Sequence, residues 1–226
     1  MILGIETATA ATAAAVWAPD GPACEARDDP EAGARPAHAT RLLALIEGAL
    51  HGAGAGWADV ERIAVGLGPG GFTGLRHGIA TARALAQSRG LPLAGVSSLE
   101  ALADGAGEDV GGRTVLAAID ARRGEVFAAA WRAGEPVLGP RAIAPGELAS
   151  RLGAGALAAP LAVGDGAVRF REQLERAGAV VPADRSPAHR VSALNVCRLG
   201  AAGETVGRDD LVPDYRREPD ASPRPG

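Results

Sequence analysis

Lysine is absent from the 226 residues; all 23 basic side chains are arginine. That removes the GK[ST] of a phosphate-binding P-loop, the strand lysine of a protein-kinase-type enzyme and the amine of a Schiff-base enzyme. Aromatic residues are only 3% of the chain, so its core cannot be built from rings. The 32 glycines and the abundant alanines instead predict close backbone approaches and tight helix packing. Two cysteines, Cys24 and Cys197, lie far apart and give no disulfide framework, as expected for thiols in a reducing compartment. The formal net charge of -4 supplies no sequence-wide attraction to nucleic acid, so any RNA contact must be local or shared with a partner. No uninterrupted apolar run reaches about 18 residues, and MILGIETATAATAAAVWAPD carries no basic leader. The expectation is a cytoplasmic protein that does not enter a membrane.

What is present reads as an ordinary globular chain, 47% hydrophobic and 22% charged, with length for one large domain or two small lobes. The pattern predicts a hairpin from strands at 1–5 and 13–17, a third edge strand near 23–27, a helix at 38–51 and a strand at 62–67. A GPGG turn then leads into a helix over 74–88, with Thr73 as its N-cap. A strand at 91–96 and a helix over LEALA capped by Ser98 follow. After the linker-like DGAGEDVGGR (104–113) the pattern restarts with a hairpin, TVLAAI and VFAAAW around DARRGE. Helices are predicted at 145–152, 167–177 and 192–202, a strand at 161–163, and a Pro-rich tail from Glu218. Two lobes follow, 1–104 and a smaller 105–226, each an α/β unit with a mixed sheet flanked by helices.

The glycine-rich turn after the strand at 62–67 formally satisfies GxGxxG through Gly66, Gly68 and Gly71. A dinucleotide site also needs an acid at the end of the next strand, and LPLAGV has none. The turn is better read as a strand-to-helix connection, with Gly68, Gly70, Gly71 and Thr73 as a candidate anion-proximal or nucleotide-proximal loop. In the following helix Leu75, Ile79, Ala82 and Ala86 form one apolar stripe, and Gly74, Gly78, Thr81 and Leu85 a second one of small residues. Glycine inside a helix costs about 1 kcal/mol relative to alanine, so Gly78 requires a very close neighbour, in this chain or in a partner. The helix at 38–51 is similarly broad: Leu43, Ile46 and Leu50 form one edge, and Leu42, Leu45 and Ala49 widen the apolar arc to roughly 160°, beyond what one core face needs.

Catalytic signatures are scarce. His38, His51, His77 and His189 form no HExxH or HxxxH pair, and no CxxC exists, so no metal site is expected. Ser97 in GVSSL lacks the glycine, at Leu99, of a nucleophile elbow. DARRGE reads as a hairpin turn with solvated charges.

Taken together, ILGIETATAATAAAVW, HATRLLALIEGAL, GLGPGGFTGLRHGIATARALA, GVSSLEALA, AAIDARRGEVFAAAW and VPDYRRE resemble the TsaB family, also called YeaZ, over nearly the whole chain. The resemblance implies the two-lobed actin-like, Hsp70-like and sugar-kinase-like (ASKHA) fold. It implies a non-catalytic scaffold required for threonylcarbamoyl transfer to adenosine in tRNAs reading ANN codons. Such a scaffold pairs with the transferase subunit TsaD and, through it, the ATPase TsaE, and meets tRNA only via the complex. A homodimer in isolation is also implied, and no cofactor. TsaD carries HxxxH on the helix matching 38–51, whereas here Leu42 stands four residues after His38. The chain departs from the family pattern at Glu6, Gly71 and His77. The resemblance maps the partner contact onto His38, Leu42, Leu45, Ala49, Gly74, Gly78, Thr81 and Leu85, and leaves Arg122 and Arg123 without a role. An ATP-dependent small-molecule kinase of the same superfold is the competing reading.

Overall fold

The computed structural model describes residues 1–31, 33–107, 111–153 and 155–217. The tail expected from Glu218 and part of the 104–113 linker lie outside the described residues. The first sheet is built from β1 (Ile2–Glu6), β2 (Thr12–Trp17), β3 (Ala23–Asp28), β4 (Arg62–Gly68) and β5 (Leu93–Ser97), in the order β3-β2-β1-β4-β5. β1, β2 and β3 form an antiparallel meander, and β4 and β5 join parallel. The crossovers run through α1 (His38–Gly52) and α2 (Phe72–Arg89), and α3 (Ser98–Asp104) leaves the last strand.

The second sheet repeats this plan. β6 (Val115–Arg122), β7 (Glu125–Arg132) and β8 (Glu135–Ile143) form a meander, and β9 (Leu161–Val163) pairs parallel with β6. β8 was not expected: Pro136, Gly139 and Pro140 interrupt its alternation, and such residues are tolerated because it is an edge strand. The short helices α4 (Pro145–Ser150), α5 (Asp165–Arg169) and α6 (Arg171–Arg176) and the longer α7 (Ala193–Ala202) complete the chain. The single helix expected over 167–177 is thus two, divided at Phe170, whose φ of -110° and ψ of 25° leave the helical range.

Alternation along the strands explains the alanine and glycine content. Leu3, Ile5, Val16, Ile63 and Val65 point to the face covered by α1 and α2, where they meet Leu42, Ile46, Leu50 and Ile79. The intervening Gly4, Ala13, Ala15 and Ala64 face α7, which packs so closely that a Cβ at Gly4 would strike the Ala193 carbonyl and one at Gly200 the Ala64 methyl. A helix from the C-terminal segment therefore covers the N-terminal sheet.

Two caps differ from expectation. α2 begins at Phe72, with Gly71 as its N-cap and no side-chain cap, so Thr73 lies inside the first turn. Ser97, not Ser98, caps α3 by accepting from Glu100 N, because Ser98 Oγ points inward and donates to Glu6.

Candidate functional site

A cleft of about 610 Å³ lies between the two sheets. Its walls come from the β1–β2 turn (Ala8 to Ala10), the entry to α1 (Arg35 to His38), the turn Gly70 to Gly74, the β6–β7 hairpin (Asp120 to Arg122), Asp165 at the start of α5, and the C-terminal segment Asp214 to Arg217.

The glycine-rich turn is shaped first by packing. A Cβ at Gly70 would overlap the Ala8 carbonyl, and Gly71 N–H donates to that same oxygen at 2.7 Å. Behind the turn Glu6 is buried to 2% exposure, its carboxylate accepting from Ala8 N at 2.6 Å and from Ser98 Oγ at 2.8 Å. Burial raises its pKa above the ordinary 4.5, and these hydrogen bonds only partly oppose the shift. The folded chain therefore holds the Glu6 proton more tightly than the unfolded chain, and stability falls as pH rises from 4.5 through the raised value. In thermal unfolding from pH 4 to 8, Glu6→Gln is expected to remove this falling limb; an unchanged pH profile would contradict the assignment.

The sequence does not announce what the opposite wall assembles. Asp120 accepts from Arg169 Nη1 at 2.7 Å and from Arg122 N at 2.9 Å, while its own N–H donates to Asp165 Oδ1 at 2.9 Å. The two carboxylates are 45 residues apart in the chain, with no local signal linking them. Asp165 lines the cleft, crowded by protein while still touching solvent; this enclosure, with the nearby Asp120 charge, raises its pKa. The hairpin tip is a two-residue loop, Arg123–Gly124, with φ of 49° and 81°, preceded by Arg122 at φ 63° where the pairing register shifts. Its charges are ion-paired as well as solvated.

The C-terminal VPDYRR segment straps the cleft edge. Asp214 N–H donates to Leu67 O at 2.8 Å, Tyr215 stacks on Phe72 at 5.2 Å, Arg76 Nε donates to Tyr215 Oη at 3.1 Å, and Arg217 pairs with Glu125 at 3.1 Å.

The residues expected at a partner contact are mostly inside the chain. Leu42, Leu45 and Ala49 belong to the core under the first sheet. His38 is 5% exposed, with Nδ1 2.8 Å from Thr12 Oγ1; burial, and then His77, lowers its pKa. Gly74 and Gly78 are buried because a Cβ at either would collide with Thr7. The close neighbour that Gly78 demands is therefore this chain's own β1–β2 turn. Thr81 and Leu85 are half-buried. Leu43, one edge of the broad apolar arc, is 58% exposed, flanked on α1 by exposed Ala39 and Glu47, and α2 carries exposed Ala80 and Ala84. Among the described residues no three His, Cys, Asp or Glu side chains are grouped to hold a metal ion, and no helix is long and apolar enough to cross a membrane.

The family model for TsaD, tRNA N6-adenosine threonylcarbamoyltransferase, matches residues 30–160, more than half of the chain. The tRNA threonylcarbamoyladenosine biosynthesis protein TsaB of Escherichia coli is 40% identical over 134 residues, 59% of this chain and 56% of that protein. An uncharacterized Mycobacterium tuberculosis protein is 36% identical over 83% of this chain and 78% of its own length. The chain thus spans little more than half of the E. coli relative. Among solved structures, YeaZ from Pseudomonas aeruginosa superposes with a TM-score of 0.76 at 30% identity, covering 95% of this chain and 98% of that one. The repeated meander-plus-parallel sheets are the two lobes of the actin-like fold that YeaZ has, and the chain belongs to the TsaB/YeaZ family.

Proposed function

We propose that this chain is a non-catalytic scaffold that pairs with a TsaD-type transferase, and with it TsaE, for threonylcarbamoyl transfer to adenosine in tRNAs reading ANN codons. The observation that carries this reading is the α1/α2 face. Leu43, the most exposed large aliphatic side chain of α1, lies one turn from the small exposed residue Ala39, and α2 likewise presents exposed Ala80 and Ala84, small residues of the kind that let another helix pair approach closely. The family model matched by residues 30–160 supports the choice of partner, since a paralogue of similar fold offers helices of similar shape. The same face would serve a homodimer when the chain is alone, and a role in tRNA modification is in keeping with a cytoplasmic protein. tRNA is met through the complex, in keeping with the net charge of -4.

Loss of the second histidine agrees with a scaffold. The position four residues after His38 is Leu42, 2% exposed within the core, so a ligand there would enter packed aliphatic side chains instead of the cleft. The test is to purify the chain with and without TsaD and TsaE. A stable complex with TsaD is expected, with neither ATP hydrolysis nor threonylcarbamoyl transfer by the isolated chain. No complex at micromolar concentrations, or transfer by this subunit alone, would sink the reading.

The alternative, an ATP-dependent small-molecule kinase, draws on one observation: Asp120 and Asp165 meet on the cleft wall, where a kinase places acidic groups. Arg169 and Arg122 already neutralise Asp120, which favours the scaffold. Substrate-stimulated ATP turnover that Asp165→Asn abolishes would reverse that preference.

A further inference from the structure

We propose that the C-terminal segment 206–217 is a gate on the cleft, fixed to the first lobe and releasable from the second at Arg217. The inference is independent of the partner reading. After α7 the chain returns along the edge of the first sheet, where Val206 N–H donates to Leu93 O at 2.9 Å and Leu211 is fully buried in the core that holds Ile63, Ile79 and Leu93. Arg83 of α2 donates from Nη2 to the Leu211 carbonyl at 2.7 Å, while its Nε is buried without a partner among the described residues. A guanidinium held inside the protein and matched to a main-chain carbonyl fastens this point of the segment, because detachment would strand both groups. Asp214 N–H on Leu67 O and the Tyr215–Phe72 stack, with Arg76 Cζ 3.8 Å from the centre of the same Phe72 ring, carry the attachment up to the cleft.

Beyond Tyr215 the attachment changes character. Residues 214–217 line the cleft, as do Ala121 and Phe127 of the second sheet, so the segment crosses from one wall toward the other. It reaches the second sheet through Arg217 Nη1 on Glu125 Oε2 at 3.1 Å, with 25% and 39% of the two side chains exposed. Glu125 opens β7 directly after the hairpin tip. An ion pair of that exposure is weak and screened by salt, unlike the buried contacts at the other end. The neighbouring Arg216 is paired within the segment itself, with Asp214 at 2.6 Å. One end is therefore built to hold, and the other to let go when ionic strength rises or an acidic group competes for Arg217.

The test places a reporter thiol inside the cleft through Ala121→Cys, at a position 3% exposed, in the full chain carrying Cys24→Ser. Cys197 is fully buried and burial pushes its thiol pKa up, so it stays unreactive. The measurement is the rate at which N-ethylmaleimide alkylates the reporter. Adding Arg217→Ala is expected to speed alkylation by about two- to fivefold, and raising the ionic strength from about 0.05 M to about 0.5 M should do the same without it. Arg217→Glu should be faster still, since it sets two carboxylates against each other, and combining it with Glu125→Arg should return the rate to that of the reporter chain. The melting temperature is expected to stay within about 2 °C throughout, as for other surface substitutions. Equal rates with and without Arg217→Glu overturn the proposal, as does a rise that the reversed pair fails to undo.

Discussion

Gly78→Leu is expected to destabilise the chain itself, lowering its melting temperature by roughly 4–8 °C. The Cβ of any side chain at Gly78 would overlap Thr7 Oγ1 and come within 3.6 Å of Ile5 Cγ2, and leucine adds three further carbons in the same direction. Thr7 cannot yield easily, because it is fully buried and its hydroxyl donates to the Gly74 carbonyl at 2.9 Å. Overpacking of this kind costs about 1–3 kcal/mol or more, while the gain in helix propensity is at most about 1 kcal/mol. In a domain of this size about 1 kcal/mol moves the midpoint by 2–4 °C. Thermal unfolding of the variant decides the matter. A parent-like midpoint with partner binding lost would instead place Gly78 at an intermolecular seam.

Leu43→Glu is expected to do the reverse: leave the melting temperature within about 1–2 °C of the parent, and weaken association with the TsaD-type partner by roughly 30-fold or more. A surface substitution away from core and caps changes stability by about 0.5 kcal/mol or less, whereas a central apolar anchor at an interface contributes about 2 kcal/mol or more. Leu43 is 58% exposed and supports no core contact that its loss would empty. A titration of purified partner against parent and variant gives the ratio, and equal affinities would remove the α1 face from the interface. The isolated variant should also lose any self-association.

These two positions show what helical periodicity can and cannot decide. Gly78 inside α2 signals that something lies against it, since an exposed glycine there would be costly for no return. The signal is the same whether the neighbour belongs to this chain or another, and the answer, Thr7, is 71 residues away in sequence. For α1 the broad apolar arc had two edges, and periodicity could not tell which faced the sheet. Docking on β2 and β3 buries Leu42, Leu45 and Ala49 and leaves Leu43 outside. The strands behaved differently. Leu3 and Ile5 against Gly4 already divide one face for large aliphatics from one for close backbone approach, because the period of two admits one assignment.

By itself the sequence determined the element types on β1, β2, β4, α1, α2 and α7, the absence of lysine-dependent chemistry, and, through GPGGFTGLR and IDARRGEV, the family. Local patterns settle such features because hydrogen bonding and side-chain alternation act within a few residues. Tertiary structure alone decided the edge strand β8, whose prolines hide it, and the exchange of roles between Ser97 and Ser98, set by buried Glu6 reaching for a hydroxyl. It also decided the Asp120–Asp165 meeting and the opening of His38 and the α2 N-terminus onto one cleft. Each of these depends on which distant backbone arrives at a given point, and that is fixed only when both sheets have packed.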